Sequence, residues 1–197
     1  TMNDEYRRLA EMRYANAPRK YQNPESFGAE FKGWVSPYTM GAHGDSGVMI
    51  VLQDWGSVDR FSEATEEELQ IVRALGRNPD LLTNKRLQCL VKDCFRKSLE
   101  QIYVTNAFPY LKSGPMSARL PIKCVRETIA NFTLKEIEIA KPSRVFLCGR
   151  LVWSAFPHKE VTLPASIKLL RVPHPAARMS YNNLLAAWLK ASGGRQA

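Results

Sequence analysis

Four short apolar runs punctuate the chain, each too short for a helix standing alone. Residues 48–52 (VMIVL) lie within the glycine-bounded stretch 47–56 and predict a strand buried on both faces. Residues 102–106 form a second run ending in Asn106, and 144–149 (RVFLCG) a third ending in glycine. The fourth, 167–172, ends in Pro173-His174-Pro175. Helical spacing fills the intervals. Residues 3–16 predict an amphipathic helix capped by Asn3 or Asp4, and Thr65-Glu66-Glu67-Glu68 opens a helix with its acids favourably in the first turn. Asn84 is expected to cap a helix reaching about Gln101, and further helices are expected over 122–140, up to Phe156, and over 178–191.

Strands alternating with helices predict the α/β class, a three-layer α/β/α sandwich with a central four-stranded parallel sheet. Residues 1–197 are expected to form a single domain, of which 1–46 supply a helix and a Pro-, Gly- and aromatic-rich covering arm. Residues 57–65 and 107–121 read as loops, and the second is long enough to be functional. Polar side chains at the carboxyl ends of three strands, after residue 52, at 106 and at 174, could converge where open α/β sheets form their ligand crevice.

Composition narrows the field. A chain of 197 residues with 45% hydrophobic and 24% charged residues is long enough for a sizeable core. No apolar run approaches the roughly 18–20 residues of a membrane span, and the first fifteen residues lack a signal peptide's apolar centre. A cytoplasmic, or at least intracellular, protein with no membrane partner is expected. Cys89, Cys94, Cys124 and Cys148 show no C-x-x-C spacing and predict buried, reduced thiols. With only His43, His158 and His174 beside them, no metal site is expected. Charge is more informative. Residues 1–111 carry 14 basic and 15 acidic groups, whereas 112–197 carry 14 basic and 4 acidic. A polyanion face in the second half, which holds His174, follows.

Three ordered motifs carry the chemistry: Gln53-Asp54-Trp55-Gly56, Thr105-Asn106-Ala107-Phe108, and Pro173-His174-Pro175-Ala176-Ala177-Arg178. Together they resemble the uracil-DNA glycosylase superfamily over about residues 47–190. The resemblance implies a monofunctional DNA glycosylase that uses water, without metal or other cofactor, to release uracil or a related deaminated or C5-modified base. DNA, single- or double-stranded, would be its partner, with no obligatory protein partner. An enzyme working on a base must flip it out of the stack, read its edge and handle developing charge. Asp54 would position water and stabilise the cationic sugar; His174 would donate to the base oxygen as it becomes an oxyanion. Asn106 would read the carbonyl and N–H edge, and Gln53 would contact the base. Each of these residue types also serves as a turn, cap or packing residue.

Phe61 and Trp55 are rival candidates to stack on the base. Lys112 and Ser113 are candidates for the DNA face, with Arg178 and Met179 as a wedge into the stack. The sequence also departs from the family: Leu52 stands where glycine is usual, Trp55 where proline is common, and Gly56 where the most uracil-specific branch has tyrosine. Glycine there implies room beside C5 of a pyrimidine. The iron–sulfur branches carry cysteines near their start, but no cysteine precedes Cys89, so no cluster is expected. Two other readings compete. One is a nucleic-acid-binding relative without catalysis. The other is a nucleotide or phosphoester hydrolase, for which no phosphate-loop, dinucleotide or G-x-S-x-G motif is present.

Overall fold

β1, Val48–Asp54, is hydrogen-bonded on both edges, and its first five residues are buried. The computed structural model describes residues 4–41, 44 and 46–193. Before β1 come α1 (Asp4–Ala15), two 3-10 turns (Pro24–Phe27 and Ala29–Gly33) and α2 (Pro37–Gly41). After it come α3 (Val58–Ser62), α4 (Glu66–Leu75), α5 (Leu82–Phe95), a 3-10 turn (Leu99–Gln101) and β2 (Tyr103–Phe108). Next are α6 (Ile122–Thr128), a π-helical turn (Ile129–Thr133), α7 (Leu134–Ala140) and β3 (Arg144–Cys148). The chain closes with α8 (Arg150–Ala155), β4 (Lys168–Val172) and α9 (Tyr181–Ser192).

The sheet order is β2-β1-β3-β4, with every pairing parallel. Alternation along β1 divides the core. Val48, Ile50 and Leu52 pack with Leu87, Leu90 and Val91 of α5 and Leu184 and Trp188 of α9. Met49 and Val51 pack with Tyr6 and Leu9 of α1, Val125 of α6 and Val152 of α8. Helices therefore cover both faces, giving the three-layer α/β/α sandwich. From β1 the chain adds β2 on one side, then crosses to add β3 on the other. The carboxyl ends of β1 and β3 thus form a topological switch point, the usual place for a ligand crevice in such sheets.

Several boundaries differ from expectation, each for a local reason. The 57–65 segment is not all loop: Ser57 accepts from the Arg60 N–H and starts α3. The helix expected from Thr65 does start there, and the structure adds a reciprocal capping box between Thr65 and Glu68. Asn84 caps nothing; it lies inside α5, buried, with its amide bridging the Tyr38 hydroxyl (2.7 Å) and the Asn78 carbonyl (2.5 Å). α5 stops at Phe95 because Arg96 turns left-handed (φ 56°), and a separate 3-10 turn follows. α9 starts at Tyr181 rather than 178, since Ser180 accepts from the Asn183 N–H. Of the four cysteines, all free, only Cys148 is buried; Cys94 and Cys124 are half-buried and Cys89 is exposed. Asn3 and His43 lie outside the described residues.

Behind the sheet, away from α5, Glu136 of α7 is fully buried, and the Tyr103 hydroxyl donates to its Oε1 at 2.8 Å. Burial pushes its carboxyl up to about 8 from 4.5, against the opposing effect of the Thr105 and Tyr103 hydroxyls. The folded state therefore holds a proton that the unfolded state has released over that interval. The stability this proton confers is complete below about 4.5 and is lost as pH rises through about 8. Glu136→Gln, neutral throughout, should flatten this slope. Urea unfolding of parent and variant at pH 6 and pH 9 measures it, and equal losses in the two proteins would show that Glu136 is ionised in the fold.

Candidate functional site

β1 delivers its last two side chains into a cleft at the switch point. Gln53 Nε2 donates to Asp54 Oδ2 at 2.8 Å, and Lys112 Nζ lies 3.3 Å from Asp54 Oδ1. The Asp54 and Lys112 side chains are 7% and 4% exposed, so this is a buried ion pair. The same ammonium donates to the Met116 carbonyl at 2.5 Å. Lys112 is carried there by backbone pairing. Its N–H donates to the Gly56 carbonyl (3.2 Å), and the Val58 N–H donates to its own carbonyl (2.9 Å). The β2–α6 loop thereby continues parallel pairing past the end of β1, with a bridge between Ser57 and Lys112.

His174 reaches the same cleft from the segment after β4. Its Nδ1 accepts the Ala176 N–H at 3.1 Å, so in the neutral ring Nε2 carries the proton. Burial holds the imidazole below the usual histidine range, while the charge of Asp54 works in the opposite direction. Gly149, at the end of β3, runs close beneath: a Cβ there would lie 3.4 Å from the His174 Cβ. The cleft, of about 310 Å³, also takes wall residues from Tyr38, Trp55, Phe61 and Asn84. Its chemistry therefore combines a carboxylate, an ammonium, and an imidazole poised to donate.

Trp55 and Phe61 are not alternatives but a stacked pair, with centroids 4.3 Å apart and planes 21° apart, and Trp55 Nε1 donates to the Gly76 carbonyl at 2.8 Å. The room expected at Gly56 is already filled. A Cβ on Gly56 would come within 2.4 Å of the Phe61 ring. Asn106 is not among the residues lining the cleft. β2 runs on to Phe108, so Asn106 sits opposite Leu52 while Phe108 sits opposite Asp54. Two residues of strand, about 6.6 Å, separate those levels. Asn106 is buried, its Oδ1 accepting from Ser36 Oγ at 2.5 Å, and its Nδ2 has no partner among the described residues.

Lys112, expected on the DNA face, is instead inside the site, because the loop that bears it is pinned to residues 56–58. Ser113 is exposed and donates to the Lys20 carbonyl at 2.6 Å. Arg178 and Met179 are exposed in the turn between β4 and α9. Sequence reasoning missed the Asp54–Lys112 pair and Arg77, a cleft residue only 6% exposed that is paired with Glu100 at 2.7 Å. A lysine closing the otherwise apolar stretch 107–111 was the available signal for the first. Among the described residues, no group of three His, Cys, Asp or Glu side chains could hold a metal ion. Neither the known protein-family models nor the curated proteins contain a match to this chain.

Removing one partner of a buried ion pair leaves an uncompensated charge, at a cost of about 3–5 kcal/mol. Lys112→Met should lose stability on that scale, with much of it recovered when Asp54→Asn is added. Urea denaturation of the two single variants and the double variant forms the cycle that measures the coupling. Additive effects would show that the two groups do not interact.

Proposed function

We propose that the chain is a DNA glycosylase that hydrolyses the N-glycosidic bond of uracil or a related deaminated or C5-modified base, a distant relative of the uracil-DNA glycosylases. The observation that carries this reading is the meeting of Asp54 and His174 in one cleft, with the Nε2 of a neutral imidazole as donor. As the bond breaks, negative charge gathers on the base and positive charge on the sugar. A neutral Nε2–H is suited to the first, because a donor aimed at a developing oxyanion gains strength as the charge appears. Asp54 is suited to the second and to holding the attacking water, since a carboxylate oxygen accepts more than one hydrogen bond. Lys112 and Gln53 fix its orientation. The Trp55–Phe61 pair provides a flat apolar wall for a flipped base.

Exposed Arg119, Lys123, Arg150 and Arg178 lie on segments that follow strand ends on the cleft side, where they would meet phosphates. Among the described residues no helix is long and apolar enough to cross a membrane. A binding-only relative is the second reading. It is favoured by the Lys112 ammonium, which already occupies one oxygen of the carboxylate, and by the position of Asn106 outside the cleft lining.

Oligonucleotides carrying uracil, 5-hydroxymethyluracil, xanthine or hypoxanthine, single- and double-stranded, test the proposal by abasic-site cleavage in the presence of chelator. Base release from at least one is expected. Asp54→Asn should slow single-turnover release by about 10²–10⁴-fold, and His174→Ala by about 10²–10³-fold, with DNA affinity retained. Affinity for undamaged DNA should fall steeply with salt. Absence of base release at enzyme excess would refute the catalytic reading and leave the binding one.

A further inference from the structure

Residues 173–180 lack regular secondary structure, yet alternate carbonyls along them are all held. Trp188 Nε1 of α9 donates to the Pro173 carbonyl at 3.0 Å. Arg86, from the second turn of α5, takes the next three. Its Nη1 donates to the carbonyls of Pro175 (3.3 Å) and Ala177 (3.0 Å), and its Nη2 to that of Met179 (3.2 Å). Within the segment, the Ala177 N–H donates to the His174 carbonyl and the Met179 N–H to the Ala177 carbonyl, both at 2.8 Å. The Ala176 N–H, between the first two carbonyls that Arg86 holds, is the group that meets His174 Nδ1.

We propose that Arg86 is the positioning residue of His174: one guanidinium clamps three carbonyls of the following segment, and the fold so fixed sets the Ala176 N–H against Nδ1. The planar fork of arginine has five donors and no acceptor, so it can serve several carbonyls at once; a lysine ammonium offers one point charge. Among the described residues Arg86 forms no ion pair, and its partners here are these backbone oxygens. The platform is rigid. Leu87, Leu90 and Val91 anchor α5 in the core, and Asp93 of the same helix accepts from the Tyr181 hydroxyl at 2.8 Å. α5 therefore grips both the His174 segment and the start of α9. With Nδ1 engaged as an acceptor, the ring is left with a single tautomer and Nε2 as its donor.

The catalytic consequence rests on the glycosylase reading, whereas the positioning does not, and the test separates them. Nitrogen-15 NMR of the His174 ring in the full chain reads the tautomer without any substrate. The parent should show Nε2–H alone at neutral pH, Arg86→Gln a mixture with Nδ1–H, and Arg86→Lys a smaller admixture. In parallel, single-turnover base release should fall by about 10²-fold in Arg86→Gln, the loss that follows a misplacement of about 1 Å. Arg86→Lys should recover part of it, and affinity for undamaged DNA should be kept. A single Nε2–H tautomer in both variants overturns the proposal, and unchanged base release where the tautomers mix overturns its catalytic consequence. If Arg86→Gln fails to fold, Arg86→Lys alone decides by the same two measurements. Mixed tautomers in the variants, with no base release even from the parent, support the positioning role and refute the glycosylase reading.

Discussion

A parallel strand that is paired on both edges and packed on both faces has only its ends left to offer. β1 is such a strand, and the placement of every candidate group follows from it. Its apolar residues commit the two layers of helices, and its partners β2 and β3 lie on opposite sides, so the chain must part at its carboxyl end. That parting is the cleft. Asp54 marks the strand's last residue, Gly149 the close of β3, and His174 the segment beyond β4. Shortening β1 would withdraw the carboxylate from the imidazole.

The charge placed at that end is not a free one. Lys112 stands beside Asp54 with little exposure to water, and it reaches the rim through the Met116 carbonyl. One ammonium thus joins the cleft floor to its edge. In a medium of low effective dielectric such a pair is coupled more strongly than at the surface, so the carboxylate is oriented before any ligand arrives. The same pairing moderates the field that Asp54 projects into the cleft. His174 is treated differently: half-buried and held neutral by desolvation, it brings a proton without a charge. The cleft therefore separates its two tasks, with fixed charge on the strand and a neutral donor on the loop.

How much of this was legible depended on whether a residue's role was set locally. The apolar runs of β1 and β3 and the helix start at Thr65 with its first-turn acids are local devices, and they read correctly. The identities of Asp54 and His174 as cleft residues followed from strand ends alone. Asn106 misled because its strand continues through Ala107 and Phe108, and apolar residues after a polar one look like a loop's packing until pairing with β1 extends them. Lys112 misled because its burial is produced by residues 56–58, far away in sequence. Asn84 reads as a cap from its type, but Tyr38 and Asn78 claim its amide. Arg86 carries no local signal at all, since its partners lie about ninety residues downstream.

The π-helical turn between α6 and α7 has a consequence for how this chain tolerates change in length. A turn of that kind accommodates one residue more than the α-helix around it needs, and each helical residue advances the direction of side chains by about 100°. Residues 122–128 and 134–140 can both face the sheet, with Val125 and Ile137 buried on either side of the turn, because the surplus residue resets the phase between them. Deleting a single residue from 129–133 would yield a more regular helix by every local criterion. It would also rotate Ile137 and Glu136 away from β2 and carry polar neighbours into their place. The irregular turn is thus a register mark: homologous chains that keep this core should conserve the length of the segment more strictly than its composition.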